Sequence, residues 1–403
     1  MEKTKDVSMQ NIYKLDGRVP LGRAIPFGLQ HVLAMFVSNL TPITIIGAAS
    51  GLDQSQLAIL LQNAMFIAGI ATLIQLYPVW RVGARLPIVM GVSFTFVTIL
   101  TYVGSTYGYE TMIGAVIVGG IFEGTLGLLA KYWKRIITPV VAASVVTAIG
   151  YSLFTVGARS FGGGYTEDFG SAQNLLLGTI TLSGGVISLP HFLPFKPEFN
   201  LGAIISVSII FLVSAAETIG DTTAMVAGGL NREITTKEIS GSLACDGYAS
   251  CISGLFGCPP VTSFSQNVGL INMTKVVNRF TIMTGAGCMI LAGLLPPVGN
   301  FFASLPDAVL GGCTIMMFGT IMVSGIQMIS KAGFSQRNVT IVALSLAVGI
   351  GFTSASEMDI WRIFPQVVQD VFSANCVAVV FVVSIVLSLV LPKDMDIKKI
   401  EGK

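Results

Sequence analysis

Pro259-Pro260-Val261-Thr262-Ser263-Phe264-Ser265-Gln266-Asn267-Val268-Gly269 interrupts a chain that is otherwise almost continuously apolar. A proline pair ends the helix before it, and the small polar residues that follow start a new one. A helix N-terminus exposes free N–H groups. Inside a bilayer such a break is tolerated only where protein or a water-filled cavity satisfies them. Breaks of this kind mark substrate sites in transporters. The stretch therefore points to a polar site sunk among membrane spans.

The composition agrees. Of 403 residues, 53% are hydrophobic and only 11% charged, against about 25% charged in soluble proteins. The mean hydropathy is +0.78. The 45 glycines suit closely packed membrane helices. A net charge of +2 leaves no electrostatic footprint for nucleic acid. The six cysteines, Cys245, Cys251, Cys258, Cys288, Cys313 and Cys376, lie in or beside apolar segments and fit no zinc spacing, so they read as small buried hydrophobes. Nothing calls for a metal or a cofactor. The polar, lysine-bearing stretch up to Arg23 does not have the pattern of a cleavable signal.

A span needs about 20 apolar residues. Twelve segments meet that measure or approach it: Pro26–Ala49, Leu57–Tyr77, Pro87–Val103, Met112–Ala130, Ile136–Gly157, Leu201–Gly229, Ile239–Gly257, Val261–Val276, Phe280–Val298, Ala308–Ile329, Val339–Thr353 and Val371–Leu391. With the N-terminus in the cytoplasm, all but Arg159, Lys196 and Arg362 of the 23 Lys and Arg residues fall on the cytoplasmic side. The positive-inside rule then places both termini there. Parity requires an even number of crossings between Gly157 and Leu201, yet that stretch holds one apolar remnant, Asn174–Pro190, broken by Gly178, Gly184 and Gly185. It is expected not to cross as a full span.

Pro87-Ile88-Val89-Met90-Gly91-Val92-Ser93-Phe94 echoes Pro259 to Phe264: a proline, a β-prone run and Ser-Phe, each opening a short span. Entering from opposite sides, the two are related by inversion, as in transporters with paired broken helices.

Ionisable residues inside spans are costly and usually functional. Glu217 and Asp221, four apart, share one helix face. Two carboxylates close together and away from water suit proton exchange, and Glu217 also offers acceptors to a polar substrate. The competing role is a carboxylate that caps a neighbouring helix. Asp246 sits in Ala244-Cys245-Asp246-Gly247 and His31 follows Gln30 in the first span. His31 is expected either to relay protons or, the favoured role, to hydrogen-bond across helices and orient a carboxylate. Glu123, among glycines, is expected to be a structural partner or to snorkel outward, and His191 to be solvated. Gln266 offers one acceptor and two donors, which suit an –NH–C(=O)– edge better than an inorganic ion. Asn267, about 100° round the helix, is placed to brace the site.

Together these residues resemble the nucleobase–ascorbate transporter family. Gln266-Asn267-Val268-Gly269 with Thr274 and Lys275 matches its signature; Gln30-His31, the Ala-Glu-Thr-Ile-Gly-Asp around Glu217, and Asp246-Gly247 match its other marks in order. The resemblance covers nearly the whole chain. It implies an all-α polytopic membrane protein of two inverted repeats, with fourteen spans in the family against about twelve here, and two short broken-helix or strand elements. A core domain (residues 1–135 and 201–298) would hold substrate. A gate domain (136–200, with a shortened remnant of spans six and seven, and 299–403) would form a homodimer. It further implies that Glu217, Gln266, Phe94, Ser93 and Asn267 surround the base, that Glu217, Asp221, Asp246 and His31 couple protons, and that Asn267 and Thr274 set specificity. Uracil-type members carry Glu where Gln266 stands and His where Asp221 stands, so the pattern here is purine-type.

The expectation is a cytoplasmic-membrane permease that takes up xanthine, or next uric acid, with protons, sodium being the other candidate ion. The alternatives are a uracil or other nucleobase permease, an anion carrier on the same fold, and a protein that binds but does not transport because its gate is short. No nucleophile–base set suggests an enzyme.

Overall fold

The computed structural model describes residues 7–134, 136–152, 190–295, 319, 321–323, 325–354, 360–365, 368–369, 372–373 and 375–392. They are mostly helical. In chain order the elements used below are α1 (Leu21–Ala49), α2 (Gln54–Leu76), β1 (Met90–Val92), α3 (Val97–Tyr107), α4 (Tyr109–Leu128), α5 (Pro139–Ser152), α6 (Leu201–Leu230), α7 (Thr236–Leu255), β2 (Val261–Ser263), α8 (Ser265–Thr274), α9 (Arg279–Gly293), α10 (Gln336–Ser354) and α11 (Cys376–Val390). Among the described residues α1, α2, α4, α6 and α10 are long and apolar enough to cross a bilayer, and α5, α9 and α11 are shorter apolar helices. Apart from Pro190, the Asn174–Pro190 remnant lies outside the described residues, as do parts of the expected Ala308–Ile329 and Val371–Leu391 spans.

The two proline-led segments each begin extended. Pro87–Val103 turns helical only at Phe94, and Val261–Val276 only at Ser265. Their extended parts pair antiparallel, with Met90 opposite Ser263, Gly91 opposite Thr262 and Val92 opposite Val261. The weak sequence echo is thus a physical pair, two half-helices that meet head to head across a two-stranded ribbon. The ribbon needs the missing side chain at Gly91. A Cβ there would lie 2.6 Å from Met35 Cε and 2.7 Å from the Phe264 ring.

Two three-residue strands leave backbone groups unpaired deep in an apolar body, and neighbouring helices supply the partners. Asn39 of α1 accepts from Val92 N–H at 2.7 Å. Thr72 of α2 accepts from Met90 N–H at 2.9 Å. On the other strand, Ser250 of α7 accepts from Val261 N–H at 3.1 Å and Ser253 donates to Pro259 O at 2.6 Å. All four side chains are fully buried. Truncation of Asn39 or Ser250 to Ala orphans a buried N–H, which costs about 1–3 kcal/mol. Each variant is expected to lower the thermal-unfolding midpoint in detergent, and an unchanged midpoint would show that the strands hold themselves.

Helix packing around the ribbon relies on glycine. A Cβ on Gly28 of α1 would sit 2.7 Å from Gly285 N of α9, and one on Gly120 of α4 would sit 2.7 Å from Gly247 O of α7. The connector at Pro190–Asn200 closes the far end of this body. Asn63 of α2 exchanges hydrogen bonds with the His191 backbone at 2.8 and 2.9 Å. Leu193 N–H donates to Leu255 O at 2.9 Å, and the Phe195 ring lies 4.7 Å from that of Tyr109. The His191 side chain itself is exposed.

Candidate functional site

The ribbon points both half-helix starts at one face of α6. Between them lies a cavity of about 20 Å³ lined by Ser93, Phe94, Glu217, Thr262, Ser263, Phe264, Ser265, Gln266 and Ile321. That is room for one water, far below the about 300–1,000 Å³ of a small-molecule site. In this conformation the site is collapsed around its polar groups.

Glu217 is 8% exposed and accepts from Thr95 Oγ1 at 2.5 Å. Thr95 belongs to the short helical turn after β1, so the first half-helix holds the carboxylate of α6. Asp221, one turn on, accepts from Ser265 Oγ at 2.7 Å and lies 3.3 Å from Ser263 Oγ, both on the second half-helix and its strand. The shared face read from the i,i+4 spacing is the face that meets the ribbon, and each half-helix takes one carboxylate. Gln266, in the first turn of α8, lines the cavity half-buried, with no protein partner for its amide among the described residues. Phe94 and Ser93 form the opposite wall. Ser93 N–H donates to Pro260 O at 2.9 Å, and its hydroxyl accepts from Thr95 N–H at 3.3 Å.

The other sequence candidates lie away from this cavity. Asn267 is 1% exposed and turns from it to α1, where its amide donates to His31 O at 2.9 Å and lies 3.1 Å from His31 Nδ1. His31 therefore ties α8 to α1 rather than reaching a carboxylate. Thr274, at the last turn of α8, donates to Leu270 O at 2.8 Å. Asp246 is fully buried and accepts from Thr218 Oγ1. Thr218 lies 3.3 Å from Ser263 Oγ, so Asp246 is linked to the ribbon through one hydroxyl. Glu123 is 1% exposed, so it does not snorkel outward; the Ser214 hydroxyl of α6 is within reach of its carboxylate, whose oxygens have no other partner among the described residues.

Sequence reasoning passed over Thr95, Thr218 and Ser265, which position the carboxylates. Their only sequence signal is proximity to the proline breaks and to Glu217. Among the described residues no group of His, Cys, Asp and Glu is arranged to hold a metal ion.

A family model described as "Permease family" matches residues 22–189 and 175–358. The xanthine permease XanQ of Escherichia coli strain K12 is 31% identical over 439 residues, which cover 94% of this chain and 94% of the relative. The xanthine permease of Bacillus subtilis strain 168 is 32% identical over 426 residues, covering 94% and 96%. A putative purine permease of Clostridium perfringens is 30% identical, covering 93% and 92%. The 439-residue alignment is longer than the 403-residue chain, so XanQ carries segments that this chain lacks. Among solved structures, murine Slc26a9 in its inward-facing state superposes with a TM-score of 0.60 at 10% identity, covering 98% of this chain and 74% of that one. The transmembrane domain of the cyanobacterial bicarbonate transporter BicA gives a TM-score of 0.53 at 13% identity, covering 91% and 98%. At such identities the likeness is one of fold.

Proposed function

This chain belongs to the nucleobase–ascorbate transporter family of permeases, a family of multi-pass membrane transporters and not of enzymes, and we propose that it takes up a purine base, xanthine ahead of uric acid, by proton symport across the cytoplasmic membrane. The observation that carries this reading is that Glu217 and Gln266 line one cavity where two half-helices meet. A carboxylate acceptor beside an amide that both donates and accepts is complementary to the –NH–C(=O)– edge of an oxopurine. The start of α8, which no side chain caps, adds backbone donors for its other oxygens.

The collapsed cavity fits a carrier between loading events. In this reading residues 1–135 and 201–298 move as a core against a gate of 136–200 and 299–403, both termini lie in the cytoplasm, and the gate supports a homodimer. Relatives' names include xanthine permeases, which favours purine over uracil. The anion-carrier reading wants cationic or Ser-rich groups instead of Glu217; Ser93, Ser263 and Ser265 do line this cavity, but the charged group among its described lining residues is the carboxylate of Glu217, which repels an anion.

The test is uptake of radiolabelled xanthine by cells that lack their own purine permeases, with and without a protonophore. Saturable uptake that the protonophore abolishes is the expected result. Binding to isolated membranes without uptake would favour a non-transporting receptor. Uptake indifferent to the protonophore but dependent on external sodium would replace the proton.

A further inference from the structure

Among the buried polar atoms outside the substrate cavity that close no hydrogen bond of good geometry with the described residues, four lie together: both oxygens of Glu123, Oδ1 of Asp246 and Oγ of Ser214. They come from three different helices, α4, α7 and α6. Asp246 and Ser214 are 0% exposed. They are also neighbours: a Cβ on Gly247 would lie 2.5 Å from Gly124 Cα, so Asp246 and Glu123, the residues just before them, meet where α7 crosses α4, and the Ser214 hydroxyl of α6 lies within hydrogen-bonding reach of Glu123.

The packing of the helices imposes this meeting. A Cβ on Gly120 would lie 2.6 Å from Cys251 N, and one on Gly124 would lie 3.0 Å from the Tyr248 ring. So α4 touches α7 on either side of Glu123, leaving no layer for water. One turn earlier Gly119 meets the Phe211 ring of α6. Glu123 projects into the junction of the three helices. From α7 it faces Asp246, with Tyr248 beside the Gly124 contact; from α6 it faces Ser214 and Glu217. No cation reaches it among the described residues, where the ion pairs are Arg232–Glu238 and Arg279–Asp16.

A structural carboxylate caps a helix, bridges two, or pairs with a cation. Among the described residues Glu123 has only the Ser214 hydroxyl within reach and no cation, and an uncompensated buried charge is among the most expensive groups a membrane helix can carry. The ligand that resolves the deficit with no added volume is a proton. Two facing carboxyls can share one, and a hydroxyl can complete the set.

We propose that Glu123, with Asp246 and Ser214, forms the site that carries the coupling proton, apart from the carboxylate that contacts the base. The inference rests on the proton-symport reading above. The empty pair shares one proton and carries one negative charge. Loading adds a second proton from external water and neutralises the pair, and release of that proton to the cytoplasm restores the single charge. The site reports to the substrate cavity through the Asp246–Thr218 hydrogen bond and the contact of Thr218 with Ser263. Glu123 touches no base; it acts through the charge of its neighbours.

The experiment uses the full chain in proteoliposomes, with xanthine-driven proton entry read by a trapped pH dye and xanthine binding read by equilibrium filtration. Glu123→Gln is expected to keep xanthine affinity within about threefold while proton entry per xanthine falls at least about tenfold. A variant with wild-type proton entry overturns the proposal, and so does one that loses xanthine binding, because Glu123 would then belong to the substrate site or the scaffold. Should Glu123→Gln fail to insert, Ser214→Ala gives the reading. It is expected to shift the external pH of half-maximal uptake, and an unmoved midpoint overturns the proposal. A wild-type protein that moves no protons with xanthine removes the symport reading and this inference together, whereas wild-type coupling with unaffected variants removes this inference alone.

Discussion

Glu217→Gln is expected to lower the initial rate of xanthine uptake by about 100-fold, equivalent to about 2.7 kcal/mol of lost interaction with the moving substrate. Glu217 is held from one side by Thr95 at 2.5 Å and opens on the other to the cavity. A carboxylate there accepts twice, once from Thr95 and once from a ring N–H, and the second bond is charge-assisted. The amide keeps one acceptor oxygen. It must give up either Thr95 or the base, and it presents an NH2 donor to whichever it abandons. Loss of a hydrogen bond to a charged group costs about 1.5–3 kcal/mol, before the mismatched donor is counted. The check is uptake at matched membrane levels, with Glu217→Asp beside it. Asp keeps the charge but draws it back by one methylene, so a milder loss of about tenfold is expected. Wild-type uptake by Glu217→Gln would mean that the base binds elsewhere.

What the sequence disclosed about this site follows from how rare its signals are. A proline pair, or a carboxylate within a span, has few explanations in a bilayer, so Pro259-Pro260 and Glu217 were legible one by one. The pairing of β1 with β2 was hinted at only by the Pro87 and Pro259 echo, because strand partners are chosen by tertiary contact. The two short spans were harder to bound. Apolar, β-branched runs such as Ile88-Val89 and Val261-Thr262 satisfy a hydropathy measure as strand or as helix, and only the neighbouring Asn39, Thr72 and Ser250 make strand affordable there. The hydroxyls that aim the carboxylates were invisible for the opposite reason. Thr95, Thr218 and Ser265 are common residue types whose role exists only once α6 lies against the ribbon. Asn267 was legible by its angle on α8, which turns it toward α1. Glu123 was not. Its surrounding glycines signalled close packing, and only the assembled helices show that the packing buries its carboxylate with no cation among the described residues and only the Ser214 hydroxyl within reach.

Gln266→Glu is the second change with a large expected effect, because it alters the sign of the site as well as its pattern. The Gln266 amide can donate to a purine oxo group while Glu217 accepts from the adjacent N–H. A carboxylate at 266 removes that donor and sets a second negative charge in a cavity of about 20 Å³ that already holds Glu217. A substrate oxo group would then face an anion, and the two carboxylates would repel whenever both are ionised. A loss of about 10- to 100-fold in xanthine affinity is expected, in line with one charged-group hydrogen bond. The family resemblance implies that uracil-type members, unlike this chain, carry Glu at this position, so uracil should gain as a competitor. Displacement of labelled xanthine by unlabelled xanthine and by uracil measures both effects in one assay. If xanthine affinity is unchanged, Gln266 does not touch the base. If affinity falls for every base alike with no gain for uracil, the charge acts on the closure of the cavity and not on its pattern of donors. Only a reversal of preference would show that residue 266 reads the substrate edge, and it would do so without a ligand-bound structure, because a reversal cannot come from a general weakening of the site.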